Sequence, residues 1–466
     1  MAPPQPDFDV IRAEFELPTG FPADVLAEAE RAAAGHPPGQ RLDATDIELV
    51  TIDPPGSKDL DQAVGVTRRG EGFRVHYAIA DLGAVVAPGG ALDAEVRRRG
   101  QTIYLPDASV PLHPPVLSED AASLLPDGPR PAVLWRIDLD VAGEPTDVEV
   151  RRAVVRSRAQ LDYAGVQADL EAGRLHPALV ALPELGPLRR AAAVARGAIE
   201  LELPEQEVQP DGDGGWSVVL RHRVDVEAWN AEISLLTGMC AAKIMLDAGV
   251  GVLRTLPAPP PDAVVELRRT ALSLGVDWPA GAPPAQVLSG LDRSAPRALA
   301  LLRAATRLLR GAGYLALGGE RVAPEHTGHA GIGAPYAHVT APLRRLVDRF
   351  GTEVCLAATA GVEVPAWLRA ALPELPSTMA SSDALAAKVD RACLDLTEAV
   401  ALAGRVGERF DAVVLAEAAA GESGEVFVLD PPVLGPCAGP LRAGARLAVR
   451  LVQADPEARK VTFAVE

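Results

Sequence analysis

The chain has 466 residues, 48% of them hydrophobic, 23% charged and 4% aromatic, which is enough for about two to four domains with buried cores. No apolar run approaches the roughly 18 residues of a membrane span, and the first residues lack the basic and apolar segments of a secretory signal, so we expect no membrane partner. The four cysteines are far apart and lack CxxC spacing, which argues against a zinc site or a disulfide framework and predicts a cytoplasmic protein.

The charge of the chain is strongly negative but uneven. The formal net charge of −18 argues against a polyanionic partner. Residues 291–350, however, hold nine arginines against four acidic residues. Arginine contacts phosphate through two parallel hydrogen bonds, although a GC-rich genome also produces arginine in place of lysine, and both explanations stay open.

Hydrophobic patterning predicts strands first and helices later. Residues 1–44 form a short acidic segment with one predicted helix, near 24–34. Strands are predicted at 46–53, 63–69, 73–82, 134–141, 148–155 and 216–222. Helices are predicted at 227–247, 261–274, 296–311, 342–360 and 382–405. This order indicates an α+β domain over 45–405, and the short strands and Gly-rich turns of 406–466 indicate a small OB-like barrel.

Three carboxylates follow the first predicted strand within nine residues. The segment 51–62 reads TIDPPGSKDLDQ, and its Pro-Pro-Gly forces a turn just after Asp53. Asp59 and Asp61 are two residues apart, so they point the same way if the chain is extended there. Crowded carboxylates repel one another unless a cation lies between them, and their hard oxygens suit Mg²⁺ or Mn²⁺. The alternative is ordinary turn chemistry beside proline and glycine.

A second motif, YAHVTAPLRRLVDR at 336–349, places two arginines at the predicted start of a helix. Thr340 has the residue type of an N-cap, which would bring Arg344 and Arg345 to a helix N-terminus suited to anions. The alternative is a surface helix with an Arg344–Asp348 pair.

Two tyrosines and one histidine in polar segments are further candidates. Tyr104, in RGQTIYLP, and Tyr163, in LDY, have the side chains of base-stacking platforms. Isolated tyrosines are more often half-buried core residues. His338 fits either a general base or a packed, hydrogen-bonded residue, and the second case is the commoner.

Together these segments resemble the RNB catalytic domain of the ribonuclease II/R exoribonucleases. The resemblance runs in order through TIDPPGSKDLDQA at 51–63, HYAIADLGAVV at 76–86, RRRGQTIYLPDASVPLHPPVLSE at 97–119, SRAQLDYAGVQ at 157–167, EAWNAEISLLTGMCAAKIM at 227–245 and YAHVTAPLRR at 336–345. It implies an α+β barrel that single-stranded RNA enters 3′ end first, and hydrolytic release of 5′-nucleoside monophosphates. It also implies a divalent cation, Mg²⁺ or Mn²⁺, and no nucleotide cofactor.

The resemblance assigns a metal site to the first motif. Asp53, Asp59 and Asp61 match three of the family's four metal-site aspartates. Gln62 stands at the fourth position, where a neutral amide is a poorer ligand than a carboxylate. The second metal of a two-metal site is therefore expected to bind weakly, or with a water in place of the missing carboxylate.

The resemblance also assigns RNA contacts. Arg344 matches the arginine on the scissile phosphate, and Arg345 lies beside it. Tyr104 matches a tyrosine stacked near the terminal nucleotide, Tyr163 one linked to RNA selectivity, and Glu232 a glutamate that contacts ribose. Asp390, before Arg391, stands where the family has a glutamate close to the leaving nucleotide. Asp61, Arg344 and Asp390 are thus the predicted catalytic residues.

Two departures from the family keep other functions open. The family usually carries cold-shock domains ahead of the RNB domain, and residues 1–44 are too few to hold them, so a short form is expected. Gln62 is the second departure. The sequence favours a two-metal 3′-to-5′ exoribonuclease, because Asp61, Arg344 and an acid at 390 are all present. The alternatives are a catalytically weakened RNB shell that binds RNA, and a phosphatase or a nuclease restricted to short RNAs or tRNA tails.

Overall fold

The structure is a computed structural model that describes residues 5–35, 39–126, 128–201, 203–211, 215–221, 223–319, 322–418 and 423–465. The helices are α1 (Phe8–Glu14), α2 (Ala23–Ala34), α3 (Ala91–Arg99), α4 (Tyr163–Glu171), α5 (Leu182–Ala195), α6 (Asp225–Ala248), α7 (Pro261–Ser273), α8 (Pro284–Ser289), α9 (Pro296–Ala305), α10 (Leu346–Thr359), α11 (Ala366–Ala371) and α12 (Leu375–Leu402). The strands of the first part are β1 (Leu42–Ile52), β2 (Gln62–Arg69), β3 (Gly72–Ala80), β4 (Ile103–Tyr104), β5 (Ser109–Val110), β6 (Arg130–Leu139), β7 (Pro145–Leu161), β8 (Glu205–Pro210), β9 (Trp216–Arg221), β10 (Val250–Thr255), β11 (Gly313–Gly318), β12 (Gly328–His329) and β13 (Ala334–Pro335). The last five strands are β14 (Arg409–Ala416), β15 (Gly424–Leu429), β16 (Pro432–Ala438), β17 (Arg446–Asp455) and β18 (Lys460–Val465).

Five strands close the first barrel in the order β1-β2-β3-β6-β7. Neighbours from β1 to β7 pair antiparallel, and parallel pairing of β7 with β1 closes the ring. Closure leaves no free edge strand, and the inward side chains form a packed core that includes Trp135 and Tyr77. The parallel pair ends at Ile52 and Leu161, so the aspartates that follow β1 lie at one mouth of this barrel.

Helix α6 packs against α5 and α10. Acidic residues in its first turn complement the helix dipole, and Gly249, with φ of 68°, ends it in the left-handed conformation. Its buried residues include Ile233 and Leu236, which join the main core. This helix therefore brings Asn230 and Ser234 to fixed positions beside the barrel.

The second barrel is closed by β14-β15-β16-β18-β17 around Phe410, Val426 and Phe463. Helix α12 leads into it and packs on β17 and β18. The Arg303 guanidinium donates two 2.7 Å hydrogen bonds to Glu425, which ties the second barrel to α9. The predicted fold class, an α+β barrel domain followed by a small OB-like barrel, is confirmed.

Several predicted boundaries were wrong for local reasons. Helix α10 begins at Leu346 with Arg345 as its N-cap, so Thr340 does not cap it and the first residues predicted as helix form a turn. Helix α12 begins at Leu375, seven positions before the predicted start of 382, because the proline in its first turn is tolerated there. The predicted strand at 216–222 ends at Arg221, and its last position lies outside the described residues. Within the described ranges, no helix is both long and apolar enough to span a membrane.

Candidate active site

The mouth of the first barrel holds the chain between Asp53 and Asp61. The Asp53 N–H donates to the Leu161 carbonyl at 3.0 Å, which extends the β1–β7 pairing by one residue. The chain then turns at Gly56, whose φ of 83° favours glycine. The Gln160 amide donates to the Ser57 carbonyl at 2.7 Å and fixes the far side of the turn to β7.

The segment that carries Asp59 and Asp61 is held by one serine. The Ser123 hydroxyl donates to the Lys58 carbonyl at 2.6 Å and accepts from the Leu60 N–H at 3.0 Å. The Asp61 carbonyl then accepts from the Ala80 N–H at 2.9 Å, which begins the β2–β3 ladder. Because these backbone groups have fixed partners, the segment that carries the two carboxylates has a defined position.

A turn at 341–345 reaches the same mouth from the other motif. The Leu343 N–H donates to Oδ1 of Asp61 at 2.7 Å, and Nε of Arg344 lies 3.5 Å from Oδ2 of Asp61. The Arg344 carbonyl accepts from the Thr102 N–H at 2.9 Å, while its side chain is about half exposed (47%). The structure therefore brings the first and second motifs together and places a half-exposed guanidinium beside a buried carboxylate.

Asp61 is buried and Asp53 is partly buried, and Arg344 is the positive charge that acts on both carboxylates. Burial raises the pKa of Asp53 to about 6, an effect that Arg344 reduces and Asp59 increases. Burial also raises the pKa of Asp61 well above its usual value, again opposed by Arg344. Oδ2 of Asp53 is buried without a hydrogen-bond partner. Such carboxylates favour a cation of higher charge than the single guanidinium supplies.

Asp59 is turned toward Tyr104. The Tyr104 hydroxyl donates to Oδ2 of Asp59 at 2.9 Å, and half of the tyrosine is exposed (50%). Across the described part of the chain, no group of three or more His, Cys, Asp or Glu side chains is close enough together to hold a metal ion. The donor set still fits a hard divalent cation, because Asp53 keeps an unpartnered oxygen and Asp59 and Asp61 add carboxylates.

Gln62 lies at the start of β2, directly after Asp61. Its side-chain oxygen accepts a hydrogen bond from the hydroxyl of Tyr77, a buried residue of β3. The Ser234 hydroxyl also bonds Tyr77, and it lies 2.9 Å from the hydroxyl of Thr340. The sequence did not single out Tyr77 or Ser234, since alternation along a strand predicts that a residue points inward but not its hydrogen-bond partner.

Tyr163 begins α4 on the Asp53 side of the mouth. Burial raises its pKa, the charge of Asp53 adds to this, and a hydrogen bond with Asn230 opposes it. The Asp162 carboxylate caps α4 by accepting from the Gly165 N–H at 2.8 Å. This cap fixes the first turn of the helix, where Tyr163 lies. Tyr104 and Tyr163 thus lie at the same mouth as the aspartates.

Arg345 and Asp348 hold the turn that carries Arg344. The Arg345 guanidinium donates to both oxygens of Asp348 at 3.0 Å, and the fully buried Asp348 also accepts from the Ala341 N–H at 2.7 Å. The suggested Arg344–Asp348 surface pair was therefore wrong, since the acid pairs with the neighbouring arginine. The sequence named Asp348 but missed its buried contacts with Arg345 and the Ala341 N–H, and the RNA contact of Arg345 stays a prediction.

Within the described residues, three other candidates make no hydrogen bond or ion pair with the aspartates. Glu232 is buried (4% exposed). Burial raises the pKa of its carboxyl, and the positive charge of Arg189 on α5 opposes this effect. Asp390 is exposed on α12, and within the described residues no hydrogen bond or ion pair joins it to Asp61 or Arg344. The roles of Glu232 and Asp390 stay predictions. His338 bonds the Tyr314 hydroxyl at 2.9 Å and burial lowers its pKa, as expected of a packed histidine.

Comparison with known proteins matches this chain to two families. The RNB domain matches residues 41–351, and the RNase II-type exonuclease C-terminal S1 domain matches residues 408–466. The chain is 32% identical to ribonuclease R of Escherichia coli over 337 residues, which are 68% of this chain and 40% of that protein. It is 29% identical to exosome complex exonuclease RRP44 homolog A of Arabidopsis thaliana, over 69% of this chain and 36% of that protein. The chain thus spans less than half the length of these two relatives.

Solved structures share the fold over nearly the whole chain. The apo form of Mycoplasma genitalium RNase R superposes with a TM-score of 0.87 at 20% identity, covering 98% of this chain and 77% of that one. Yeast Ssd1, described as a pseudonuclease, superposes with a TM-score of 0.73 at 15% identity, covering 96% of this chain and 58% of that one. With the RNB match extending over more than half of its residues, the chain belongs to the RNB family and carries an RNase II-type C-terminal S1 domain.

Proposed function

We propose that this chain is a metal-dependent 3′-to-5′ exoribonuclease that hydrolyses single-stranded RNA and releases 5′-nucleoside monophosphates. The observation that carries the proposal is the approach of Arg344 to Asp61, because it joins a cation to a buried carboxylate at the mouth of the RNB barrel. Hydrolytic exoribonuclease activity is general in this family. The ribonuclease R relatives support the same activity here.

Asp53, Asp59 and Asp61 are the residues that would hold the divalent cation, Mg²⁺ or Mn²⁺. When bound, such an ion polarises a phosphoryl oxygen and lowers the pKa of a bound water. The unpartnered oxygen of Asp53 and the raised pKa of its carboxyl support this assignment. The two-ion arrangement stays a prediction, and a Mn²⁺ titration counts the ions directly.

The other residues act on the RNA itself. Arg344, half exposed beside Asp61, neutralises charge on the nonbridging phosphate oxygens, where a preorganised cation is worth several kcal/mol. The Leu343 N–H fixes one oxygen of Asp61, so this carboxylate does not rotate as the phosphate arrives. The exposed ring of Tyr104 offers a face on which the terminal base stacks, which keeps the last linkage in register with the aspartates.

A 5′-labelled single-stranded RNA incubated with Mg²⁺ or Mn²⁺ tests the proposal. We expect a ladder that shortens from the 3′ end, nucleoside monophosphates as the released product, and no reaction with EDTA. Cleavage of mononucleotides alone would favour a phosphatase, and a preference for short oligonucleotides would favour the restricted nuclease.

An inactive RNA-binding shell is the second candidate. It is favoured by the neutral Gln62 among the aspartates and by the fold that the chain shares with the pseudonuclease Ssd1. Binding of labelled RNA without cleavage, under any divalent cation, would establish it. For either function we propose a cytoplasmic location, which the four free, buried cysteines support.

A further inference from the structure

The side-chain amide of Gln62 is fixed at its oxygen end. The Tyr77 hydroxyl donates to this oxygen, and Tyr77 is 1% exposed. In the β2–β3 ladder Gln62 pairs with Ile79 and Val64 pairs with Tyr77, so Gln62 and Tyr77 are diagonal neighbours on one face of the sheet. A rigid ring inside a packed barrel therefore determines which way the amide points.

Tyr77 is itself held by a chain of hydroxyl groups. Ser234 of α6 bonds the Tyr77 hydroxyl, and the Ser234 and Thr340 hydroxyls are 2.9 Å apart. Thr340 is 2% exposed and precedes the turn that carries Arg344. The chain of hydroxyls thus links the orientation of Gln62 to the segment that positions the arginine.

This arrangement decides what Gln62 offers to a ligand. A carboxamide has one acceptor oxygen and an NH₂ group with two donors. The oxygen has a second lone pair, but its bond to Tyr77 turns this end of the amide toward a ring that is 1% exposed, so the NH₂ group is the end left to face a ligand. An N–H donor binds an anion and is repelled by a cation, whereas a metal ligand must present its oxygen.

We propose that Gln62 is a phosphate-binding residue that donates its amide N–H groups to a nonbridging oxygen of the terminal phosphodiester, does not ligate a divalent cation, and is positioned by Tyr77. The proposal rests on the proposed function, in that it takes RNA as the ligand of this site. It makes Gln62 the neutral partner of Arg344, with both residues donating to the same phosphate.

Metal binding without RNA tests the first half. Isothermal titration with Mn²⁺ should give the same number of sites for Gln62→Ala as for the unsubstituted chain, with a Kd changed less than about twofold, because no ligand is lost. Asp53→Asn should weaken Mn²⁺ about tenfold or more, in the range that loss of a supporting metal-site group produces. Loss of a Mn²⁺ site in Gln62→Ala would overturn the proposal.

RNA affinity without metal tests the second half. In EDTA, the anisotropy of a short fluorescein-labelled oligoribonucleotide should show binding weakened about tenfold by Gln62→Ala, which is typical for loss of a hydrogen bond to a charged group. Gln62→Glu keeps the size but removes the donors, so it should weaken RNA at least as much. Gln286→Ala, an exposed amide of α8, is the matched control. Unchanged affinity in Gln62→Glu would overturn the proposal.

A double-mutant cycle tests whether Tyr77 positions Gln62 or only packs in the barrel core. Tyr77→Phe should weaken RNA about threefold in the unsubstituted chain and leave the affinity unchanged in Gln62→Ala, because coupled residues are not additive. An equal effect in both backgrounds would overturn the positioning role of Tyr77. If Tyr77→Phe does not fold, Ser234→Ala replaces it in the same cycle. A chain that binds Mn²⁺ but no RNA would overturn the proposed function, whereas a Mn²⁺ site lost in Gln62→Ala overturns only this inference.

Discussion

The backbone N–H of Leu343 donates a 2.7 Å hydrogen bond to Oδ1 of Asp61, although the two residues are 282 positions apart. The next residue, Arg344, places Nε 3.5 Å from the other oxygen of the same carboxylate. One turn therefore controls both oxygens of Asp61. Because the donor is a backbone group, the contact depends on the shape of the turn, and that shape depends on Asp348.

Asp348→Asn should destabilise the fold by roughly 3 kcal/mol, because removing one partner of a buried ion pair leaves the other uncompensated. Arg345 would lose a carboxylate that now accepts two of its hydrogen bonds. Urea denaturation followed by circular dichroism measures the change. Asp169→Asn, which touches only the exposed pair with Arg174, is the control and should be close to neutral. Equal stabilities for the two variants would contradict this assignment.

Asp61→Asn should reduce RNA hydrolysis by at least about 100-fold while changing RNA affinity less than about twofold. Asparagine still accepts from the Leu343 N–H but lacks the negative charge that a metal ion requires. Single-turnover cleavage and anisotropy binding give the two numbers. Asp247→Asn, at an exposed pair with Lys243, is the matched control. Activity retained in Asp61→Asn would remove this residue from the metal site.

Asp53 should make the stability of the metal-free chain depend on pH. Burial raises its pKa to about 6 in the folded state, against a usual value of 3.8, so the folded state holds a proton that the unfolded state releases. The stabilisation that protonated Asp53 adds to the free energy of unfolding is therefore fully present below about pH 4 and is lost as the pH rises to about 6. Urea denaturation in EDTA at several pH values measures this loss. Asp53→Asn should flatten the curve over this interval, and an unchanged slope would contradict the assignment.

Tyr104→Ala should raise the KM for RNA about tenfold, because base stacking on an aromatic ring is worth roughly 1–3 kcal/mol. Tyr104→Phe keeps the ring and loses only the hydrogen bond to Asp59, so its KM should stay near that of the unsubstituted chain. Steady-state release of monophosphates gives both constants. Equal KM values for the alanine and phenylalanine variants would show that the ring does not bind the base.

The sequence predicted most of the fold because its elements are strongly patterned. Alternation identified β2 and β3 as strands, the family resemblance implied the barrel, and periodicity identified α6 to within two residues at its start. The resemblance also predicted that Asp61 and Arg344 belong to one site. The sequence did not predict that Asp348 bonds Arg345. On a helix an acid can pair with an arginine three or four residues earlier, so the spacing alone does not choose between Arg345 and Arg344. Nor did the sequence predict the Tyr77–Gln62 bond, because a cross-strand contact depends on the register of two strands.

In the proposed mechanism, Asp61 and Arg344 act on the same phosphate. A double-mutant cycle on the rate of nucleoside monophosphate release, using Asp61→Asn, Arg344→Ala and the double variant, tests it most directly. We expect that each single change removes most of the activity and that the double variant is no slower than the slower single one. If the two fold-reductions in rate multiply in the double variant, or if a single variant keeps the full rate, the two residues do not act on the same phosphate.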